Sequence, residues 1–338
     1  HMYIFFFTFS ALLSNYMNEI VEYIIQFLVY GDEHAAKQVG YTADESQWGK
    51  YRVVIVPSGH LGKEIVVPEL DRCAVDKVTG DEEMRHATWI IRTDIVYNTF
   101  FFISRAEELI NHRRDEHGRF LAKHSILGQN NRLMIPTVDE YARMLMKLLD
   151  MPMPTPLFSH IYLTHDVDTI EQYRHWRGAL GGILRGKVRE VLASLKDIHN
   201  DPAFTFSCLI SQNKKVEGAK CIYFVKDTLG KGYDYPQYEL FGKDFEMVKD
   251  MIEQSGAEIG LHSSYYGHES TPSEVYGRLL IQQNEQPEKP ICHRSHYLNC
   301  SIDQMQRWAK IGITDDFTMM FPDQVGFRLQ TTRPVRWI

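Results

Sequence analysis

From residue 160 to residue 319 the chain alternates short apolar runs with amphipathic stretches, and this alternation constrains the fold more than any other feature. Strands are expected at His160–Thr164, Phe204–Ile210, Cys221–Val225, Glu258–Leu261, Pro290–Arg294 and Ile313–Met319. The helices between the later runs carry end signals. Asp244 to Ser255 stops at Gly256, a C′ glycine. Thr271-Pro-Ser-Glu274 combines an N-cap, an N1 proline and an N3 glutamate, and Ser301-Ile-Asp-Gln304 is a capping box. Repeated strand–helix units imply an α/β fold on a parallel sheet, open or closed into a barrel. In such folds the residues just past the strand C-termini build the site.

Three prolines in Met151-Pro-Met-Pro-Thr-Pro156 cannot continue a helix and mark a domain boundary. Two domains are expected for 338 residues: 1–155, a smaller α/β domain, and 156–338. In the first, Tyr3 to Leu13 reads as a strand followed by a largely buried helix from Asn15. Tyr51–Val56 reads as a strand, Asp94–Ile110 as a helix, and Thr137-Val-Asp-Glu140 as a capping box opening a helix to Leu149. Uncharged residues stop at Glu19, too early for a membrane span. The first Lys or Arg is Lys37, so no basic segment precedes the apolar run as an export signal would require.

The 37 Lys and Arg against 44 Asp and Glu leave a charge of −7, which argues against phosphate neutralisation and a nucleic-acid partner. Five cysteines, Cys73, Cys208, Cys221, Cys292 and Cys300, form no C-x-x-C pair and read as buried thiols in a reducing compartment. Cytoplasmic residence is the resulting expectation.

Three strand ends carry chemistry. In Ile161-Tyr-Leu-Thr-His-Asp-Val-Asp168 two carboxylates stand i, i+2, so Asp166 and Asp168 share one face. Such a pair calls for a cation or a shared proton, and an Asx-turn or helix cap is the plainer alternative. Glu258 to His268 delivers His262 and further polar groups after a strand. In Cys292-His-Arg-Ser-His-Tyr-Leu298, Arg294 and His296 again stand i, i+2. Arg294 could pair with Asp166, or form a plain surface ion pair. Convergence of three strand ends is the arrangement metal-assisted hydrolysis requires.

Thr164-His-Asp-Val-Asp168, Glu258-Ile-Gly-Leu-His-Ser-Ser-Tyr265, Arg294-Ser-His-Tyr-Leu298 and Gly326-Phe-Arg328 resemble the motifs of polysaccharide deacetylases, the NodB-homology group or carbohydrate esterase family 4. More narrowly, the chain is similar to a divergent bacterial subgroup with an uncharacterised N-terminal domain. Val39-Gly-Tyr41, Val56-Pro-Ser-Gly59, Ser104-Arg-Ala-Glu-Glu108, Arg114–Arg119 and Pro136–Tyr141 look like that companion domain. The resemblance implies a distorted (β/α) barrel that removes acetyl groups from an amino sugar or polysaccharide using a divalent metal, commonly zinc. It makes Asp166 the base that activates water, Arg294 the residue orienting it, and the backbone amide near Tyr297 the oxyanion donor. Asp168 and His262 become metal ligands.

Two departures accompany the matches. Tyr266 stands where the family places a second histidine, so the third ligand falls to His296, with His268 and His165 as alternatives. The late Leu-x-x-His motif supplying the general acid is absent, and the barrel reads as incomplete at its C-terminal end. A catalytically degenerate glycan-binding protein on the same fold is the runner-up. Residues 173–196, rich in Arg and Lys, read as a solvated face or as a patch for an anionic glycan or phosphorylated carrier. Trp176 and Tyr266 could stack on sugar rings. Arg328 and Arg333 could bind a substrate anion or form structural ion pairs.

Overall fold

The computed structural model describes residues 6–70, 73–78, 88–155, 160–226, 232–235, 238–240, 242–267 and 290–336. The chain divides into two units, His1–Leu157 with Met320–Ile338, and Phe158–Met319. The division falls at the proline-rich link. The last nineteen residues nevertheless pack with the first unit, whereas the sequence reading placed everything after residue 155 in the second.

In the first unit, α1 (Phe6–Leu28) is one continuous helix. The strand expected over Tyr3–Leu13 is therefore helical from Phe6, and residues 3–5 lie outside the described residues. Aromatic residues favour strands locally, but extending an amphipathic helix adds a hydrogen bond for each residue fixed, and here extension wins. Ile20, Ile24 and Leu28 bury one stripe while Tyr16, Asn18, Glu19 and Glu22 stay exposed.

A four-stranded sheet follows: β1 (Val39–Tyr41), β2 (Val53–Ile55), β3 (Val75–Val78) and β4 (Thr88–Ile91), in the order β1-β2-β4-β3. The pairs β1–β2 and β2–β4 are parallel, and β3 runs antiparallel at the edge. Before β1 lies the short helix α2 (Glu33–Ala36), its start capped by Asp32. The stretch expected as one helix over Asp94–Ile110 breaks in two, α3 (Ile95–Ile103) and α4 (Glu107–Ile110), at Arg105 with φ 60°. Asp94 caps α3 by accepting from the Tyr97 amide. A further short helix, α5 (Ile126–Gln129), precedes α6 (Thr137–Leu148). Helices α1, α3 and α6 pack on one another around the core of this unit.

The expected capping box at Thr137 does not form. The Thr137 hydroxyl donates to Gln330 Oε1 at 2.7 Å instead, and Pro136 occupies the cap without a side-chain bond. Buried Asp139 accepts from the Thr331 hydroxyl, the Thr332 amide and hydroxyl, and Arg333 Nε, all between 2.7 and 2.9 Å. Arg328 pairs with buried Glu108 at 2.6 Å. Both arginines are thus structural ion-pair partners that hold the C-terminal segment.

Burial pushes the Asp139 carboxyl up, but the Thr331, Thr332 and Arg333 contacts outweigh it and hold it below its ordinary value of 3.8. Replacing Asp139 with Ala is expected to cost about 2–4 kcal/mol, since it strands Arg333 and two hydroxyls. Because the folded-state value is depressed, this stabilisation is present above the unfolded value. It is lost as pH falls through the lower folded one. Urea melts of both proteins at neutral and acid pH check it: the gap closes toward low pH, and a pH-independent gap contradicts the account.

Among the described residues the second unit carries five strands: β5 (Ile161–Val167), β6 (Ala219–Val225), β7 (Glu258–Ser263), β8 (Cys292–Ser295) and β9 (Asp315–Asp316). They pair in chain order and all in parallel. Among the described residues, helices α7 (Trp176–Leu184), α8 (Val188–Lys196) and α9 (Phe206–Asn213) lie between β5 and β6, α10 (Lys243–Gln254) between β6 and β7, and α11 (Ile302–Lys310) between β8 and β9. The fold is α/β, and this sequential parallel order is that of a barrel segment rather than of a doubly wound sheet.

One expected strand is wrong: of Phe204–Ile210, the residues from Phe206 onward are the first turns of α9. Phe206, Leu209 and Ile210 stand i, i+3, i+4 and pack into one helix-facing cluster, so the short apolar run carries the helical period. The run expected over Ile313–Met319 contributes only two residues as β9. The Ser301 capping box forms, its amide donating to Gln304 Oε1. The Thr271 signal lies outside the described residues. The five cysteines are free thiols, and only Cys292 is buried, with Cys208 exposed, which corrects the expectation of buried thiols.

Candidate metal centre

Strand alternation divides the second sheet into two chemically different faces. On one face Tyr223, Val225 and Ile259 join the apolar residues of α9 and α10, and Leu261 packs with Trp308 of α11. On the other lie Thr164 and Asp166 of β5, Phe224 of β6, Gly260 and His262 of β7, and Arg294 of β8, through the registers Asp166↔Phe224, Phe224↔Gly260 and His262↔Arg294. Gly260 has a packing reason: a Cβ there would meet the Phe224 ring at 2.5 Å. The ring so accommodated lies under the Arg294 guanidinium, 4.7 Å from its centroid.

Arg294 is buried and donates three ways: Nη1 to Asp166 Oδ1 at 2.8 Å, Nη2 to the Thr164 hydroxyl at 2.8 Å, and Nε to the Phe317 carbonyl at 3.1 Å. The carboxylate of Asp166 is therefore oriented through one oxygen. Its Oδ2 meets no donor among the described residues. The surface ion pair considered for Arg294 is instead a geometrically fixed one, with the guanidinium buried and Asp166 open to solvent.

Asp168 follows the end of β5, His262 lies on β7, and His296 opens the turn after β8. Their ligating atoms form a triangle: His262 Nε2 to His296 Nδ1 at 2.9 Å, and Asp168 Oδ1 to these two at 3.5 and 3.3 Å. The ring tautomers follow from the other nitrogens. His262 Nδ1 lies 2.9 Å from the Arg294 carbonyl and His296 Nε2 lies 3.0 Å from the Tyr233 carbonyl. A carbonyl only accepts, so those nitrogens carry the protons. The nitrogens facing each other thus present lone pairs, beside a carboxylate. Three acceptors at such distances repel unless a proton or a cation lies among them.

The donor set fits a metal. A tetrahedral zinc ion with bonds of about 2.0–2.1 Å needs ligand atoms about 3.3 Å apart. Backbone carbonyls fixing the remote nitrogen of each ligating imidazole are the usual supporting arrangement. Burial pushes the Asp168 carboxyl up, but positive charge on His262, His296 and Lys226, with a hydrogen bond from a protonated His262, prevails and holds it at about 2; a cation among the bare nitrogens would act in the same direction. Burial lowers His296 and favours the neutral, ligating ring.

The same residues, with Asp166, Lys226 and Tyr297, line an open cavity of about 350 Å³ walled by Tyr233 and Tyr235. Tyr297 and Leu298 take positive φ of 60° and 55°, which turns the chain sharply after His296. Tyr297's ring packs edge-on against His296 and Tyr233.

The alternatives for the third ligand separate clearly. His165 sits on the opposite face of β5, stacked on Tyr223 at 4.8 Å and within hydrogen-bond reach of Asn213. His268 lies outside the described residues. Tyr266 is half exposed. Lys226, Tyr233 and Asp234 escaped the sequence reading. Lys226 is buried with Nζ 3.7 Å from Asp168 Oδ1, while Asp234 accepts from the Ser264 hydroxyl and the Tyr265 amide. The position of Lys226, directly after a strand end, was a usable signal. Tyr233 lies in an aperiodic connection and gave none.

A family of unknown function (DUF7033) matches residues 3–154, nearly the whole N-terminal part of the first unit and less than half of the chain. No curated protein and no solved structure matches the chain.

Proposed function

We propose that the second unit is a metal-dependent hydrolase that removes acetyl groups from an amino sugar or polysaccharide, on a barrel of the polysaccharide deacetylase type. The observation that carries this reading is the pair of bare imidazole nitrogens, His262 Nε2 and His296 Nδ1, facing each other beside Asp168. Asp168, His262 and His296 would hold the ion, with zinc the best fit to two nitrogens and one carboxylate. A divalent ion there supplies Lewis-acid polarisation of an acyl carbonyl and acidifies water.

The chain's own groups complete the chemistry. Asp166 Oδ2 accepts the proton of the attacking water, and Arg294 keeps that carboxylate aimed by bonding its Oδ1. The turn at Tyr297 brings backbone to the cavity, where an amide can meet a developing oxyanion. Tyr233, Tyr235 and Tyr297 offer aromatic walls suited to sugar rings.

Elemental analysis of the purified chain, beside an Asp168→Ala, His262→Ala double variant, tests the reading together with acetate release from acetylated amino-sugar oligomers. About one equivalent of divalent metal, lost in the double variant, and acetate release only by the parent chain are expected. Metal-free protein after reconstitution would overturn it. Sugar affinity without acetate release would hand the site to the glycan-binding alternative.

A further inference from the structure

The connection after β5 folds into two helices that expose their apolar side chains. On α7, Trp176, Leu180, Ile183 and Leu184 stand i, i+4, i+7, i+8. On α8, Val188, Leu192 and Leu195 stand i, i+4, i+7. At 100° per residue each set forms one narrow stripe. Yet these seven side chains are between 44% and 78% exposed, whereas Gly182, Val191 and Ser194, on a different side of the same helices, are buried. Large apolar side chains exposed in stripes of this kind mark an interaction site.

The charged residues around the stripes are mostly basic. Arg177 and Arg189 follow the first stripe residue of each helix, Lys196 ends α8, and Arg185 and Lys187 occupy the link. Over 176–196 five basic residues meet a single acid, Glu190, in a chain whose total charge is −7. Arg177 lies over the Trp176 ring at 5.1 Å. Among these basic side chains, Lys187 is paired with Glu190, at 3.4 Å and in the open. The stretch is thus more than the solvated basic face its composition suggests.

We propose that α7 and α8 form a peripheral docking surface for an anionic lipid membrane, with the apolar stripes entering the headgroup boundary and the basic flank meeting lipid phosphates. Aliphatic stripes with a tryptophan and a cationic border are the pattern of helices that lie in a membrane interface. The charge argues against a second copy of the chain, because a two-fold interface would press the two basic flanks together. Aliphatic side chains also argue against a glycan, which aromatic faces hold better. The proposal is independent of the metal centre and of its chemistry.

Cosedimentation of the full chain with phosphatidylcholine vesicles, with and without about one quarter phosphatidylglycerol, tests it. Binding is expected to be at least about tenfold tighter to the anionic vesicles and to weaken as salt rises. The Leu184→Glu, Leu192→Glu variant, changed only at exposed positions, is expected to lose at least about tenfold in affinity with its melting temperature unchanged. Equal recovery in the supernatant with both vesicle types overturns the proposal, as does a double variant that binds like the parent. So does a dimeric parent chain that the double variant converts to monomer without vesicle binding, which would make the surface a contact between copies.

Discussion

An Asp166→Asn variant is expected to lose about 10³-fold in acetate release while binding the same equivalent of metal as the parent. The magnitude is that of removing a positioned general base. Asparagine is isosteric, and its carbonyl oxygen can still accept from Arg294 Nη1, so the guanidinium keeps its bonds to Thr164 and to the Phe317 carbonyl. What vanishes is the basicity of Oδ2. Asp166 does not belong to the ligand triangle, so metal content is a clean control. Acetate release measured per bound metal settles the matter, and a variant within a few-fold of the parent removes Asp166 from the role of base.

His296→Ala is expected to weaken metal binding by at least about 10²-fold, because it deletes one corner of a three-ligand set. It also frees the Tyr233 carbonyl that fixes the ring. Titration with zinc under a competing chelator reads the effect, with His165→Ala as the contrasting variant. His165 leans on Tyr223 and Asn213 across the sheet, so its loss is expected to leave affinity unchanged. Unchanged affinity in His296→Ala, or a loss in His165→Ala, would show that the triangle is not the metal centre.

The contrast between these two histidines shows how far local reading reaches. His165 lies one residue from Asp166, and strand alternation alone sends it to the opposite face. Parity by itself excludes it as a partner of Asp166. His296 lies outside the strand, and no period governs a turn. Its approach to His262 depends on positive φ at Tyr297 and Leu298 and on the Tyr233 carbonyl, which arrives from a connection over sixty residues away. The same limit explains the helix errors. The run at Phe204–Ile210 is too short for propensity to decide, and its packing against α10 settled it. The Thr137 cap was a sound local motif overruled by Gln330, a residue almost two hundred positions later.

The sequence by itself determined the α/β class, the link near residue 155 and the strand ends that carry Asp166, Asp168, His262 and Arg294. Each of these follows from hydrophobic period and from proline or glycine punctuation, which act within a few residues. The sequence also put His296 first among three candidates for the third ligand; only the tertiary structure set it apart from His165 and showed which ring nitrogens are bare. The tertiary structure also decided that the C-terminal segment joins the first unit through Asp139 and Glu108. These features depend on hydrogen bonds between groups distant in the chain. Such bonds carry no local signature, because their partners meet only when the whole backbone has folded.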